Sequence, residues 1–263
     1  MIDGALPYLR CPTCGQGLSR RERALRCPRG HSFDMARQGY ADLSAGRLPH
    51  VGDTAGMVAD RESFLAAGHY DFIADALAAR TPAGFVVDAG VGTGFYLARA
   101  LDKLAETGLG LDVSKPALRR AARAHPRAAA ILADVWRPLP IADAAADTIL
   151  NVFAPRNGAE FHRILRPGGT LLVVTPAPGH LAELVTRHGM IHVDPDKDHR
   201  VRESLAGHFR RDGSETLSRT LRLTAAEAAT LIGMTPSARH GATAPTEDVT
   251  VTAAVHLTAY ERR

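Results

Sequence analysis

A chain of 263 residues, 45% hydrophobic and 23% charged, has the composition of a globular protein with room for one large domain and a small module. Its apolar runs are strand-length, well short of the roughly 20 residues of a membrane-spanning helix. The opening MIDGALPYLRCPTC lacks a basic start followed by an apolar stretch, so a cytoplasmic protein without a secretory leader or membrane partner is expected. Residues 1–50 hold eight arginines against four acids, so the +4 surplus of the chain sits entirely in that segment. A basic module beside a neutral body points to a polyanionic partner for the module.

The three cysteines all lie within the first 27 residues, an odd number and a poor disulfide framework. Cys11-Pro-Thr-Cys14 and Cys27-Pro-Arg-Gly-His31 space their ligands as C-x2-C-x12-C-x3-H. Each half is a tight turn aiming two ligands at one point, and three thiolates with one imidazole suit tetrahedral structural zinc. A full protein ligand set leaves no open position for catalytic water. Leu18–Leu25 reads as a hairpin between the knuckles, and a module of this size needs the metal for its folding energy. Arg20, Arg21, Arg23, Arg26 and Arg29 lie between or beside the ligands, where phosphate contacts would explain them. Tyr8, Phe33 and Tyr40 are candidates for stacking on unpaired bases or for filling the small core, with the core preferred for Phe33.

From about Asp60 helices alternate with buried strands. A helical recurrence over Arg61–Arg80 is interrupted at Gly68; strands follow at Phe85–Ala89, Gly108–Asp112, Ala130–Asp134, Asp147–Phe153 and Thr170–Thr175. Helices at Phe95–Leu104, Pro116–Ala124 and Gly158–Leu165 lie between them. That alternation predicts an α/β fold with a doubly wound, mostly parallel sheet. Arg219–Leu223 and Val249–Tyr260, with a helix near Ala225–Ile232 between them, add two further strands, and the polar stretch Ile191–Glu215 reads as an insertion over the active face. The expected division is a zinc-binding, RNA-recognising module over 1–45, a linker and helix over 46–80, and the α/β domain over 81–263.

Ligands of such sheets bind at the carboxyl ends of the strands. There the chain places Asp88-Ala-Gly90-Val-Gly92-Thr-Gly94-Phe95, a G-x-G-x-G loop distinct from the G-x-G-x-x-G of dinucleotide sites. One strand later Asp112 is placed to accept from ribose hydroxyls, and Asp134 is placed to meet an adenine amino group. Asp88 suits an ammonium, directly or through water. With Asn151-Val-Phe-Ala-Pro155 after the fourth strand, this ordered set resembles the Rossmann-like class I S-adenosylmethionine methyltransferases.

The resemblance becomes narrower when the amino-terminal knuckle is included. Cys27-Pro-Arg-Gly-His-Ser-Phe-Asp-Met-Ala-Arg-Gln-Gly-Tyr40, Gly52-Asp53-Thr54, Arg61-Glu-Ser-Phe-Leu-Ala-Ala-Gly-His-Tyr70, Leu111-Asp-Val-Ser-Lys115 and Thr175-Pro-Ala-Pro-Gly-His-Leu181 are similar to the zinc-containing 23S rRNA guanine-N1 methyltransferases of the RlmA type. The likeness runs from about Cys11 to Leu184. It implies zinc on Cys11, Cys14, Cys27 and His31. It also implies S-adenosylmethionine contacts at Tyr70, at the glycine loop through Gly94 and Phe95, at Asp112 and at His180. The target implied is N1 of a guanine in a domain II hairpin loop of 23S rRNA. Composition rich in alanine and arginine favours the Gram-positive, tylosin-resistance-like branch, with a contribution to macrolide resistance, and the resemblance leaves a homodimer open. Around the fourth strand, Asn151 is a further candidate cofactor contact, and Asn151 and His180 are the groups considered for handling the guanine edge; no catalytic base declares itself. The rival reading is a small-molecule methyltransferase whose zinc module is only structural.

Overall fold

A computed structural model describes residues 2–104, 106–192 and 196–263. The chain opens with a helical turn, α1 (Ile2–Ala5), and then the ribbon: β1 (Ser19–Arg21), β2 (Ala24–Arg26) and β3 (Ser32–Asp34) form an antiparallel sheet in that order. The expected hairpin is β1–β2, and β3 lies beyond it. A two-residue strand, β4 (Ala41–Asp42), then leaves the ribbon and pairs in parallel with β7 (Ala128–Leu132) of the main sheet.

The main sheet orders β10-β11-β9-β8-β5-β6-β7-β4. Its members are β5 (Val86–Ala89), β6 (Gly108–Asp112), β8 (Ala146–Val152), β9 (Leu165–Pro176), β10 (Phe209–Leu223) and β11 (Val249–Arg262). β4 to β9 run parallel, and β11 and β10 complete the sheet antiparallel. β5 to β8 are apolar on both faces because both faces are covered. Val86, Leu150 and Leu172 enter one core with α2 (Ala55–Ala66), α3 (Asp71–Arg80), α4 (Phe95–Asp102), α5 (Lys115–Ala124), α7 (Ala182–His188) and α9 (Ala225–Gly233). Val87, Ile149 and Leu171 enter the other with α1, α6 (Gly158–Ile164) and α8 (Lys197–Ala206).

The second core also contains the ribbon. Leu9, Cys11, Leu18, Leu25 and Cys27 are buried in it, Tyr8 stacks on Phe85 with ring centroids 3.9 Å apart, and the Arg10 amide donates to the Pro140 carbonyl. The small module thus shares the interior of the large one.

The helical stretch at 61–80 is two helices, broken where Gly68 takes φ +80°. The first starts earlier than periodicity predicts, because the Thr54 side chain accepts the Met57 amide and caps it. The stretch 191–215 contains α8 and the first half of β10. Ser204 and Leu205 of α8 pack against Gly158 of α6, while Ile191, His192 and Arg200 border the active face. Residues 193–195 lie outside the described ones.

Candidate functional site

The two knuckles bring Cys11 Sγ, Cys14 Sγ, Cys27 Sγ and His31 Nδ1 within 4.8 Å of one another. Cys14 and Cys27 sulfurs are 3.7 Å apart, and His31 Nδ1 is 3.3 Å from Cys27 Sγ and 3.6 Å from Cys11 Sγ. Ligands about 2.3 Å from a tetrahedral zinc stand about 3.8 Å from each other, so this set fits the ion with all four positions supplied by protein. Burial pushes the Cys27 thiol up, but hydrogen bonds from the His31 backbone and side chain outweigh it and lower the thiol to about 6, close to the thiolate that metal binding requires. Arg21, Arg23, Arg26 and Arg29 are exposed around this centre, and Arg20 pairs with Asp3 at 2.7 Å. The aromatic candidates do not join them: Tyr40 is buried, Tyr8 lies on Phe85 and Phe33 packs against the core.

At the carboxyl ends of the parallel strands lies a cavity of about 820 Å³, bordered by Tyr70, Gly90, Gly92, Phe95, Asp112, Asp134 and His180. Gly90, at φ +88°, brings the loop after β5 against the loop after β8; a β-carbon there would stand 2.4 Å from that of Ala154. Asp112 Oδ2 accepts the Gly92 amide at 3.0 Å and Oδ1 accepts the Ser114 amide at 2.8 Å. Burial raises this carboxyl while those two amides lower it. Asp134 Oδ1 accepts from the Trp136 amide at 3.0 Å.

Three expected contacts stand behind the cavity wall. Gly94 caps α4 at φ +88°, and a β-carbon there would lie 2.7 Å from that of Ala124, so its smallness serves the packing of α4 on α5. Asn151 is a strut: its amide donates to the carbonyls of Ala89 at 3.0 Å and Pro155 at 2.9 Å, and its oxygen accepts from Arg156 Nε. That network occupies the group expected to orient a guanine edge. Asp88 is buried, and neither carboxylate oxygen has a hydrogen-bond partner among the described residues. Burial, with the nearby Asp112 carboxylate, pushes its carboxyl up to about 8. A buried carboxylate with no donor calls for a cation, as the ammonium of an amino-acid-bearing nucleoside would provide.

Two residues of the cavity were not singled out by sequence reasoning. Arg61 of α2 forms an ion pair with Asp53, donates to the Met234 carbonyl at 2.8 Å, and holds Nη1 3.5 Å from where a β-carbon on Gly92 would sit. It would face the carboxylate of a zwitterion lying on the glycine loop, with Asp88 toward the ammonium. Phe153 carries the backbone at φ +53°, and its ring lies 6.4 Å from Tyr70 and 6.0 Å from His180. His180 Nδ1 accepts the Ala254 amide at 3.1 Å, which puts the neutral ring's proton on Nε2. His180 therefore presents a donor there, not a base.

The ribbon and the cavity have separate counterparts among known proteins. The family described as RlmA, N-terminal, matches residues 9–44, and a methyltransferase domain family matches residues 86–169. A Streptomyces fradiae protein named 23S rRNA (guanine(748)-N(1))-methyltransferase is 52% identical, over 91% of this chain and 89% of its own. A Micromonospora griseorubida protein, provisionally named a 23S rRNA (guanine-N(1)-)-methyltransferase, is 54% identical over 99% of both chains. The chain belongs to the family of 23S rRNA guanine-N1 methyltransferases. Among solved structures, a chain from the Haloferax volcanii Trm112 methyltransferase activator complex superimposes with a TM-score of 0.52 at 19% identity, over 81% of this chain and 98% of that one. That likeness concerns the fold alone.

For a 23S rRNA guanine-N1 methyltransferase, the cavity must hold S-adenosylmethionine, which supplies a methyl group on a positively charged sulfur. The unpartnered Asp88, the close approach allowed at Gly90 and the acceptor at Asp112 fit that cofactor. Asp112 and Asp134 would fix its nucleoside end, with Asp88 and Arg61 at its amino-acid end. Holding the donor rigidly beside the mouth is the main contribution asked of the chain, since the transfer gains most from orientation.

Proposed function

We propose that this enzyme methylates the guanine equivalent to the one that names the Streptomyces fradiae relative, in a domain II hairpin loop of 23S rRNA, and so contributes to macrolide resistance. The observation that carries this reading is the fusion, through one shared core, of an arginine-bearing zinc ribbon to a cavity suited to S-adenosylmethionine. The ribbon contacts the phosphates of the hairpin; Tyr70, Gly90, Gly92, Asp112, Asp134 and His180 surround the cofactor, and Asp88 answers its ammonium from behind the glycine loop. A protein acting on rRNA works in the cytoplasm, and that is the location that goes with this reading. Among the described residues no helix is long and apolar enough to cross a membrane. β10 lies at the edge of the sheet, and its outer backbone groups offer the contact for a homodimer, which sedimentation would reveal.

The experiment is transfer of tritiated methyl groups to unmodified 23S rRNA, followed by primer extension across the domain II hairpins. A new stop at one loop guanine is expected. Label that stays off RNA, with cofactor binding intact, would instead support a small-molecule acceptor.

A further inference from the structure

Four large apolar side chains are exposed among the described residues: Val51 at 83%, Trp136 at 54%, Ile191 at 50% and Phe153 at 41%. All four border the cofactor cavity. Single exposed apolar residues scattered over a surface need no explanation, but a set gathered on one rim marks a binding site.

Phe153 stands out within the set. It follows β8 in the left-handed region, φ +53°, a conformation that a bulky residue adopts only when its surroundings impose it. The surroundings do so here. The Phe153 amide donates to the Val174 carbonyl at 3.1 Å, Asn151 ties the preceding strand to Ala89 and Pro155, and Ala154 is seated against Gly90. The backbone is held so that the ring stands at the cavity, beside Tyr70 and His180, instead of entering either core. The Asp88–Gly94 loop lies on the strand next to β8, so the ring borders the place where the methyl donor is held.

We propose that Phe153 is the stacking platform for the base that receives the methyl group. The inference rests on the functional reading above and adds the acceptor's seat to it. A flat, exposed ring beside the donor recognises a planar heterocycle drawn out of an RNA loop, because stacking needs only a π-face and no paired partner. Trp136 follows β7, three strands from β8, or about 14 Å away at ordinary strand spacing. It forms the rim on the nucleoside side, and as the single tryptophan of the chain it is a native optical probe of that rim.

The test uses the full zinc-loaded chain and a transcript of the domain II hairpin, with wild type, Phe153→Leu, Phe153→Gly and Phe153→Tyr. Leu and Gly should lower kcat/KM for the RNA about tenfold or more, while Tyr stays within about threefold of wild type. S-adenosylmethionine affinity should stay within about twofold in all. Unchanged S-adenosylmethionine affinity and an unchanged circular dichroism spectrum in each variant separate loss of the platform from loss of the fold. Wild type should bind the guanine hairpin more tightly than one with an abasic site at that guanine, by Trp136 fluorescence with S-adenosylhomocysteine present, and Phe153→Leu should lose the difference. The proposal is overturned if Leu and Gly turn over the hairpin within twofold of wild type, or if Tyr fails as badly as Leu. A wild-type chain that leaves the hairpin unmethylated overturns the functional reading itself, before any variant is compared.

Discussion

His50 Nδ1 lies 2.8 Å from Asp134 Oδ2, joining the segment between ribbon and α2 to the carboxylate just beyond β7. Asp134 Oδ1 already accepts the Trp136 amide, so both oxygens have a donor before an adenine amino group arrives. His50 is half exposed, and such a pair is worth at most about 1 kcal/mol. Replacing His50 by alanine should therefore tighten S-adenosylmethionine binding by up to about fivefold, measured by calorimetry. Weaker binding would show that His50 helps to cover the adenine.

Asp88 makes cofactor affinity depend on pH. With its carboxyl pushed up to about 8, the folded chain keeps a proton between pH 4 and 8 that the unfolded chain has lost. The native state is then less favoured as pH rises through that window. An ammonium on Asp88 requires the proton to leave, so affinity should rise about tenfold per pH unit from 6 towards 8 and then level off. Asp88→Asn should abolish that slope, in titrations at several pH values.

Asp112→Ala removes the acceptor from the ribose position. Hydrogen bonds to a charged acceptor contribute about 1.5–3 kcal/mol, so affinity for S-adenosylmethionine should fall about 10- to 150-fold. Because Asp112 also accepts the amides of Gly92 and Ser114, the glycine loop should exchange its amide hydrogens faster. Unchanged affinity would move the nucleoside away from β6.

Cys14→Ala should release the zinc and abolish rRNA methylation. Cys11 and Cys27 share the core with Leu109 and Ile149, so the melting temperature of the whole chain should fall by at least about 5 °C. Separate melting of ribbon and body, with the body unshifted, would contradict the shared core.

Strands β5, β6 and β8 were legible because burial on both faces writes continuous apolar runs. The glycine loop and the zinc ligands were legible because their chemistry demands fixed spacing. β10 was anticipated only at Arg219–Leu223, since an edge strand exposed over most of its length carries no apolar signal. Asn151 and Gly94 were read as cofactor contacts, because a polar residue or a glycine at a strand end looks the same whether it meets a ligand or braces a neighbouring loop. Arg61 entered only as the start of a helix and of a family-like stretch, and nothing in spacing announces the positive φ of Phe153. Both depend on contacts between segments distant in the chain.

The shared core also bears on how target choice can diverge among relatives. Leu9, Leu18 and Leu25 face residues of the body, so the ribbon is not an exchangeable cassette: transplanting one onto another body would mismatch an interior surface. Variation is cheap on the side turned to solvent, which includes Arg21, Arg23, Arg26 and Arg29. If the ribbon reads the RNA as proposed, a change of rRNA address would accumulate as replacements on its exposed side while the buried half stays matched to its sheet.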